Sequence, residues 1–193
     1  NLRYVGLQDW NRQTFEFSHQ RALVGRDGNL DWIVGTMGGK LVKAFIEVEL
    51  NGQGAHGRVS GMFFADKDQM FDHDTQQNHN APRTTSDLLF KGAAKDTARS
   101  VWQGMIKSLP KMQKIDGFQA SRNLLLSENA RMDGIPGLEI EADDVRCTGC
   151  HIRFPHDHAN ANPKQRPHER FSPSYGLLLR APHRHHNGSE QNQ

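Results

Sequence analysis

The chain has little cysteine, no long apolar run and no excess of charge of either sign. Two cysteines among 193 residues are too few for a disulfide framework, so we expect a reducing compartment and a cytoplasmic protein. No stretch approaches the roughly 18 consecutive apolar residues of a transmembrane helix, so no membrane association is expected. Lys and Arg number 24 against 22 Asp and Glu, and this balance gives no electrostatic case for nucleic acid.

Signals for export, nucleotide binding and nucleophilic catalysis are also missing. The chain starts at Asn1 without a signal-like segment, and residues 2–5 already have the character of a strand, so we expect that an N-terminal part is missing. No G-x-x-x-x-G-K-[ST] motif occurs. His73 and His79 have no nucleophile motif near them, and we interpret both as polar residues on the outer face or in a turn.

What is present is a succession of short alternating segments separated by polar turns. Turns fall near residues 27, 38, 52, 67, 79 and 94, with no amphipathic helix between them. This spacing predicts an all-β sandwich, barrel or solenoid. Small residues at strand ends favour a solenoid, because they suit close stacking of coils: Gly35, Gly61, Gly92 and Gly104.

The clearest alternation lies between Lys43 and Leu50. A period of two residues predicts a strand with one buried face. The residues expected to face inward are Ala44, Ile46, Val48 and Leu50. The residues expected to face outward are Lys43, Glu47 and Glu49.

A second organised stretch runs from Arg122 to Cys147. Three leucines lead into a polar turn at 127–129, and a further turn is predicted at 133–137. Leu138, Ile140 and Ala142 then alternate with acidic residues, which predicts another strand with one buried face. The consecutive acids Asp143 and Asp144, interpreted as solvated, break the alternation. The direction of the Cys147 side chain is therefore not fixed by counting.

The composition changes at residue 150. Residues 150–193 hold seven of the 11 His and five of the 8 Pro, and their one apolar run is Leu177-Leu178-Leu179. Such a segment buries too little surface to offset the conformational entropy lost on folding. We therefore expect a folded region over 1–149 and a disordered His/Pro-rich tail over 150–193.

Several segments resemble the SufB/SufD family of iron–sulfur cluster assembly scaffolds, and SufD most closely. The most specific segments are 75–92 and 122–148, and segments 99–106 and 113–120 are also family-like. The resemblance implies a right-handed parallel β-helix over 1–149. It also implies a scaffold that is not itself an enzyme and that works with SufB-like and SufC-like partners, the latter an ATPase. Residues 150–193 do not share the resemblance.

Cys147 is the residue to which the resemblance gives a role. In the family this strand ends in Cys-Thr/Ser-His-Gly-Ala-Thr, and its Cys and His lie near the place where a nascent cluster is assembled between SufB and SufD. Here the chain has Cys147-Thr148-Gly149-Cys150-His151 and lacks that His. The resemblance implies that Cys147 is one ligand of a transient, partner-shared iron–sulfur cluster. Cys150 and His151 are further candidate metal ligands, because thiolate and imidazole suit such chemistry.

Beyond Thr148 the chain departs from the family's pattern. One lost residue followed by unrelated sequence indicates a shifted reading frame or a divergent end. In the family, SufC docks on a helical region after the β-helix, and coils near the SufB interface also follow this point. The departure therefore weakens both expected partnerships.

The spacing of Cys147, Cys150 and His151 also fits two other metal sites. C-x-x-C-H is the attachment pattern of c-type haem, but no Met or His in a helical context supports it. The two thiols with His156 and His158 have ligand types that bind zinc, although this segment lacks a folded setting. Two further functions stay open, a structural β-solenoid module without cluster chemistry and a carbohydrate-active β-helix enzyme.

Overall fold

Eleven strands and no helix form the part of the chain that the structure describes. The computed structural model describes the backbone of residues 1–154 and the side chains of residues 1–149. No helix within these bounds is long and apolar enough to cross a membrane. The strands are β1 (Leu2–Gln8), β2 (Phe15–Val24), β3 (Asn29–Thr36), β4 (Leu41–Leu50), β5 (His56–Ala65), β6 (Met70–His79), β7 (Thr85–Ala94), β8 (Arg99–Ser108), β9 (Ile115–Leu125), β10 (Arg131–Ile140) and β11 (Val145–Phe154).

The strands alternate between two parallel sheets. The odd sheet has the order β1-β3-β5-β7-β9-β11, and the even sheet the order β2-β4-β6-β8-β10. The chain therefore winds with two strands to a coil. Leu41 pairs with Met70 and Met70 with Arg99, so one coil here takes 29 residues. The predicted parallel β-helix is confirmed and a sandwich of antiparallel hairpins is excluded. Crossovers between parallel strands strongly favour a right-handed coil.

The predicted boundary at residue 149 falls inside β11, which continues to Phe154. The expected disordered tail lies, from residue 155 onward, outside the described residues. At the other end, the Asp-Gly turn predicted near residue 27 is present. Its positive φ belongs to Asp27, at 51°, because a short polar side chain tolerates the left-handed region.

Apolar side chains fill the space between the two sheets. The four β4 residues predicted to face inward, Ala44, Ile46, Val48 and Leu50, are all buried. Aromatic rings occupy the centre of the next coils, and Phe63, Phe71, Phe90 and Trp102 are fully buried. Burying one large apolar side chain stabilises the fold by about 1.5–3 kcal/mol. This interior is therefore a main source of stability.

Two glycines make room for these rings. Gly61 pairs with Phe90 and Gly92 pairs with Phe63 in adjacent strands of the odd sheet. A Cβ added at Gly61 would overlap the Phe90 ring, and one added at Gly92 would overlap the Phe63 ring. The sequence indicated small residues for close stacking of coils. The structure gives the reason in more detail, because large and small side chains alternate along the stack.

The outer face of the even sheet is polar but not fully solvated. Glu47 and Glu49 face outward as predicted, yet each is only 7% exposed. Arg21 on the neighbouring strand lies 2.9 Å from Glu47 and 2.7 Å from Glu49, and Asn78 donates a hydrogen bond to each at 3.1 Å. Burial alone would raise the pKa of Glu49, but the hydrogen bonds from Arg21, Asn78 and Asn80 hold that pKa below its ordinary value.

The turn predicted at 133–137 is also wrong. These residues lie inside β10, which pairs with β8 along its whole length, from Arg131 opposite Arg99 to Ile140 opposite Ser108. Pro136 is tolerated because β10 is the last strand of the even sheet within the described residues, and edge strands accept a missing N–H. The strand predicted from Leu138 onward accordingly ends at Ile140.

The clearance at Gly61 gives a stability prediction. We expect Gly61→Ala to lower the free energy of unfolding by about 1–3 kcal/mol, because the new methyl group overlaps the Phe90 ring. Gly25→Ala is the matched control, since an added Cβ there has nothing within 4 Å. It should change stability by less than about 1 kcal/mol. Urea unfolding measures both, and equal effects would contradict this account of the packing.

Candidate functional site

The interior of the coil changes from apolar to polar along its axis. The inward residues of β4 are apolar, and from Ala44 to Leu50 each pairs with an inward polar residue of β6. These polar residues are His73, Thr75, Gln77 and His79, and all are at most 2% exposed. Buried polar groups cost stability unless they are paired. The polar part of the interior, from β6 onward, is therefore the candidate site.

Several buried polar atoms of this region have no hydrogen-bond partner among the described residues. They include both side-chain polar atoms of Gln77, Oε1 of Gln119, Nδ1 of His73, and Oγ of Ser100 and Ser108. Gln119 is partly satisfied, since its Nε2 donates to the Gly137 carbonyl at 2.8 Å. Most buried polar groups in folded proteins are paired. Such atoms are more numerous from β6 onward than in β1–β5, where the described residues have two, Ser18 Oγ and Trp32 Nε1.

His73 lies at the centre of an aromatic cluster. Its ring stacks on Phe63 at 5.4 Å and lies 5.5 Å from Phe90, and its Nε2 is 3.1 Å from Thr36 Oγ1. Burial lowers the pKa of His73 to about 4, with a smaller opposing effect from Asp74. The imidazole is therefore neutral at pH 7. The expected outer or turn position for His73 is wrong, because the interior of this coil is itself polar.

His79 ends β6 and faces inward as well, where the outer face or a turn was expected. Its Nδ1 is 2.7 Å from Thr84 Oγ1, and its Nε2 is 3.0 Å from Ser86 Oγ. The side chain is 0% exposed, and burial lowers the pKa of His79 to about 4. Both hydroxyls come from the turn and strand that directly follow β6. The short connection to β7 therefore fixes the ring.

Cys147 lies on the inner side of β11, close to His79. It pairs with Gly117 of β9. A Cβ built on Gly117 would lie 3.1 Å from Cys147 Sγ and 3.4 Å from His79 Nε2. Burial raises the pKa of the Cys147 thiol to about 11, although a backbone hydrogen bond from Gly117 opposes the rise. The thiol is therefore protonated at neutral pH, which is the state of an unreactive buried cysteine.

The other predicted ligands are described by their backbone alone. Cys150 pairs with Ala120 and His151 with Ser121 in β11, whereas His156 and His158 lie outside the described residues. No group of three or more His, Cys, Asp or Glu is arranged to hold a metal ion among the side chains of residues 1–149. The role of Cys147, Cys150 and His151 as cluster or metal ligands stays a prediction.

Carboxylates on the outer faces join neighbouring coils. Asp31 is 2.7 Å from Arg3 and 3.1 Å from Arg58, and the hydrogen bonds from Arg58 and then Arg3 lower its pKa. Lys43 lies 2.9 Å from Asp72 and 2.6 Å from Asp74. Glycoside hydrolysis usually needs a carboxylic acid with a raised pKa. The pKa of Asp31 is instead lowered, and Asp72 and Asp74 are held in ion pairs with Lys43. These carboxylates therefore do not favour a carbohydrate-active enzyme.

The sequence did not indicate the hydroxyl groups around His79. Thr84, Ser86 and Ser108 are ordinary small polar residues without a motif. The length of one coil would have indicated Ser108, because His79 and Ser108 pair in adjacent strands 29 residues apart. Aligning the chain with itself at that period would have brought Ser108 beside His79.

Comparison with known proteins agrees with this architecture. Residues 1–150 match the family model described as SUF system FeS cluster assembly, SufBD core domain. The chain is 32% identical over 151 residues to an iron–sulfur cluster assembly SufBD family protein of Mycobacterium leprae, covering 75% of this chain and 38% of that protein. A SufBD family protein of Staphylococcus saprophyticus is 29% identical over 145 residues, with shares of 75% and 31%. The chain thus spans well under half the length of these relatives.

The buried histidines predict a loss of stability in acid. A histidine whose pKa is near 4 when folded and 6.5 when unfolded binds fewer protons in the folded state between these values. Stability should therefore fall as pH drops from about 6.5 to 4, by about 3 kcal/mol for each of His73 and His79. Urea unfolding across this range should show a shallower fall for His79→Gln. Equal falls in His79→Gln and the unaltered protein would contradict this account.

The raised pKa of Cys147 predicts a slow thiol. In a Cys150→Ser protein, alkylation of Cys147 by iodoacetamide at pH 7–8 should be about 100-fold slower than in the urea-unfolded chain, because about 100-fold less thiolate is present. The rate should rise about tenfold per pH unit. Mass spectrometry of the alkylated chain measures it. Equal rates in the folded and unfolded chains would show that Cys147 is not protected.

Proposed function

The chain belongs to the SufB/SufD family of iron–sulfur cluster assembly proteins, and on that basis we propose that it is a SufD-like scaffold component in the cytoplasm. It works in a complex with a SufB-like protein and a SufC-like ATPase. The iron–sulfur cluster is its cargo, held transiently and shared with a partner. The observation that carries this proposal is the family match over residues 1–150, which covers nearly all of the β-helix.

The small number of available protein ligands favours a cluster that is shared with a partner. An iron–sulfur cluster usually takes four protein ligands. Among the side chains that the structure describes, Cys147 is the one free thiol. It is protonated at neutral pH and turned toward the interior. The remaining ligands must therefore come from another chain or from residues beyond 149.

A scaffold role also suits the chemistry of the interior. Ser86, His79 and Thr84 form a chain of hydrogen bonds that has the order of a catalytic triad. Their exposures are 4%, 0% and 0%, so an acyl substrate cannot reach the serine. The outer carboxylates are held in ion pairs between coils. Neither the buried Ser86–His79–Thr84 chain nor the paired carboxylates favour an enzymatic activity of the isolated chain.

Anaerobic reconstitution tests the proposal. The isolated chain, supplied with iron and sulfide, should form no stable cluster by visible absorption, because Cys147 is the one free thiol among its described side chains. Adding the family's His between Thr148 and Gly149, together with the family's downstream sequence, should give a cluster when SufB-like and SufC-like proteins are present. The restored sequence without the partner proteins, or the partner proteins with the unaltered chain, should give less cluster absorption.

Cys147→Ser is the control in the restored chain. If Cys147 is a cluster ligand, the substitution should remove partner-dependent absorption while leaving the chain folded. A stoichiometric, stable cluster on the isolated, unaltered chain that is lost in Cys147→Ser would contradict the sharing of ligands. Failure of the restored chain to bind either partner would contradict the scaffold role.

A further inference from the structure

We propose that Cys147 and His79 form an interior binding site for a soft monovalent metal ion of the Cu(I) class. The two residues come from β11 and β6, and Gly117 of β9 lies between them. Cys147 Sγ and His79 Nε2 both border the space beside Gly117, at 3.1 Å and 3.4 Å from the position that a Cβ there would take. The site uses the same thiol that is proposed above as a cluster ligand, so Cu(I) and the cluster would exclude each other, but Cu(I) binding needs no partner protein.

The hydrogen bonds of His79 determine which of its two nitrogens carries the lone pair. The Thr84 hydroxyl donates its hydrogen to the Ala81 carbonyl at 3.0 Å, so toward His79 it acts as an acceptor. His79 Nδ1 must therefore carry the proton and donate it to Thr84 Oγ1 at 2.7 Å. Nε2 is left with a lone pair, which accepts a hydrogen bond from Ser86 at 3.0 Å, and a metal ion bound to Nε2 would replace that hydrogen bond. A metal-binding histidine is commonly oriented in this way, through its second nitrogen.

Gly117 keeps the space open. Its missing side chain is what lets Cys147 Sγ and His79 Nε2 approach the same volume, since an added methyl group would be in tight contact with both atoms and with Ile106. Cys147 pairs with Gly117 on one side and Ser86 pairs with Gly117 on the other. The three inward positions therefore form one row of the odd sheet.

A further polar group lies at the same end of the strands. Ser108 is paired with His79 in the even sheet, at the next coil. Its side chain is 0% exposed, and its Oγ has no hydrogen-bond partner within the described part of the chain. Strand neighbours in register point to the same face, so this hydroxyl is directed into the same interior. It is a weak third donor beside a thiol and an imidazole.

Ligand number and charge select a soft monovalent ion. Thiolate sulfur prefers soft ions such as Cu(I), whereas structural zinc sites have four ligands. The site offers two such ligands among the described side chains. On binding, the thiol proton is released to solvent. A monovalent ion bound to one thiolate and one neutral imidazole then has no net charge, and a divalent ion would leave a positive charge in the interior. Buried net charge is costly, so the monovalent ion fits better.

Anaerobic Cu(I) titration against a chromogenic Cu(I) chelator tests the site. The full chain carries Cys150→Ser, so that Cys147 is its one thiol. We expect one tight equivalent. Cys147→Ser and His79→Gln should each weaken it at least tenfold, since even outer partners of a metal ligand contribute 10- to 100-fold. Gly117→Ala should weaken it too, because the methyl group fills the space.

Gly149→Ala is the matched control. A Cβ there would be equally crowded, at 3.1 Å from Gln119 Nε2 and from Pro136, but away from His79 and Cys147. It should leave the affinity unchanged. Copper X-ray absorption of the one-to-one complex should show one sulfur and one imidazole nitrogen, and this needs no variant at His79 to fold. A shell of nitrogen alone, or full affinity in a folded His79→Gln protein, would overturn the proposal.

Discussion

The parallel pairing of each strand with the strand one coil away is the constraint on which the rest of the structure depends. A residue's neighbours are fixed at about 29 positions before and after it, as with Leu41, Met70 and Arg99. Each side chain must therefore fit two others in the stack. Inside, this rule places Phe63 against Gly92. Outside, it places Arg21 against Glu47, so packing and ion pairing follow from one register.

The sequence was sufficient for the fold class because alternation and turn spacing are local signals. They located the inward face of β4 and the turn at Asp27 correctly. They failed over 133–137, where the residues Asp-Gly-Ile-Pro-Gly are typical of a turn. There, pairing with β8 outweighs local preference. The burial of Glu47 and Glu49 could not be predicted for a related reason, since the side chains that cover them come from other coils.

The candidate site was only half predictable. Cys147 stood out by residue type and by family resemblance. The direction of its side chain could not be predicted, because Asp143 and Asp144 interrupt the alternation of inward and outward residues. His79 was interpreted as an outer or turn residue, because a run of polar residues normally faces water. Its place beside Cys147 depends on the register of β6, β9 and β11. Contacts between residues so far apart in sequence require the length of each coil.

Buried polar side chains are concentrated in the later coils of the solenoid. In a stack where each coil contacts only its neighbours, stability is a sum of local terms, and opening spreads from the weakest end. The coils around β4 and β5 have the aliphatic and aromatic interior, whereas those around β8 and β9 carry buried hydroxyls and amides. Each buried hydroxyl or amide without a partner lowers the free energy needed to separate its coil from the next, so resistance to local opening varies from coil to coil along the stack.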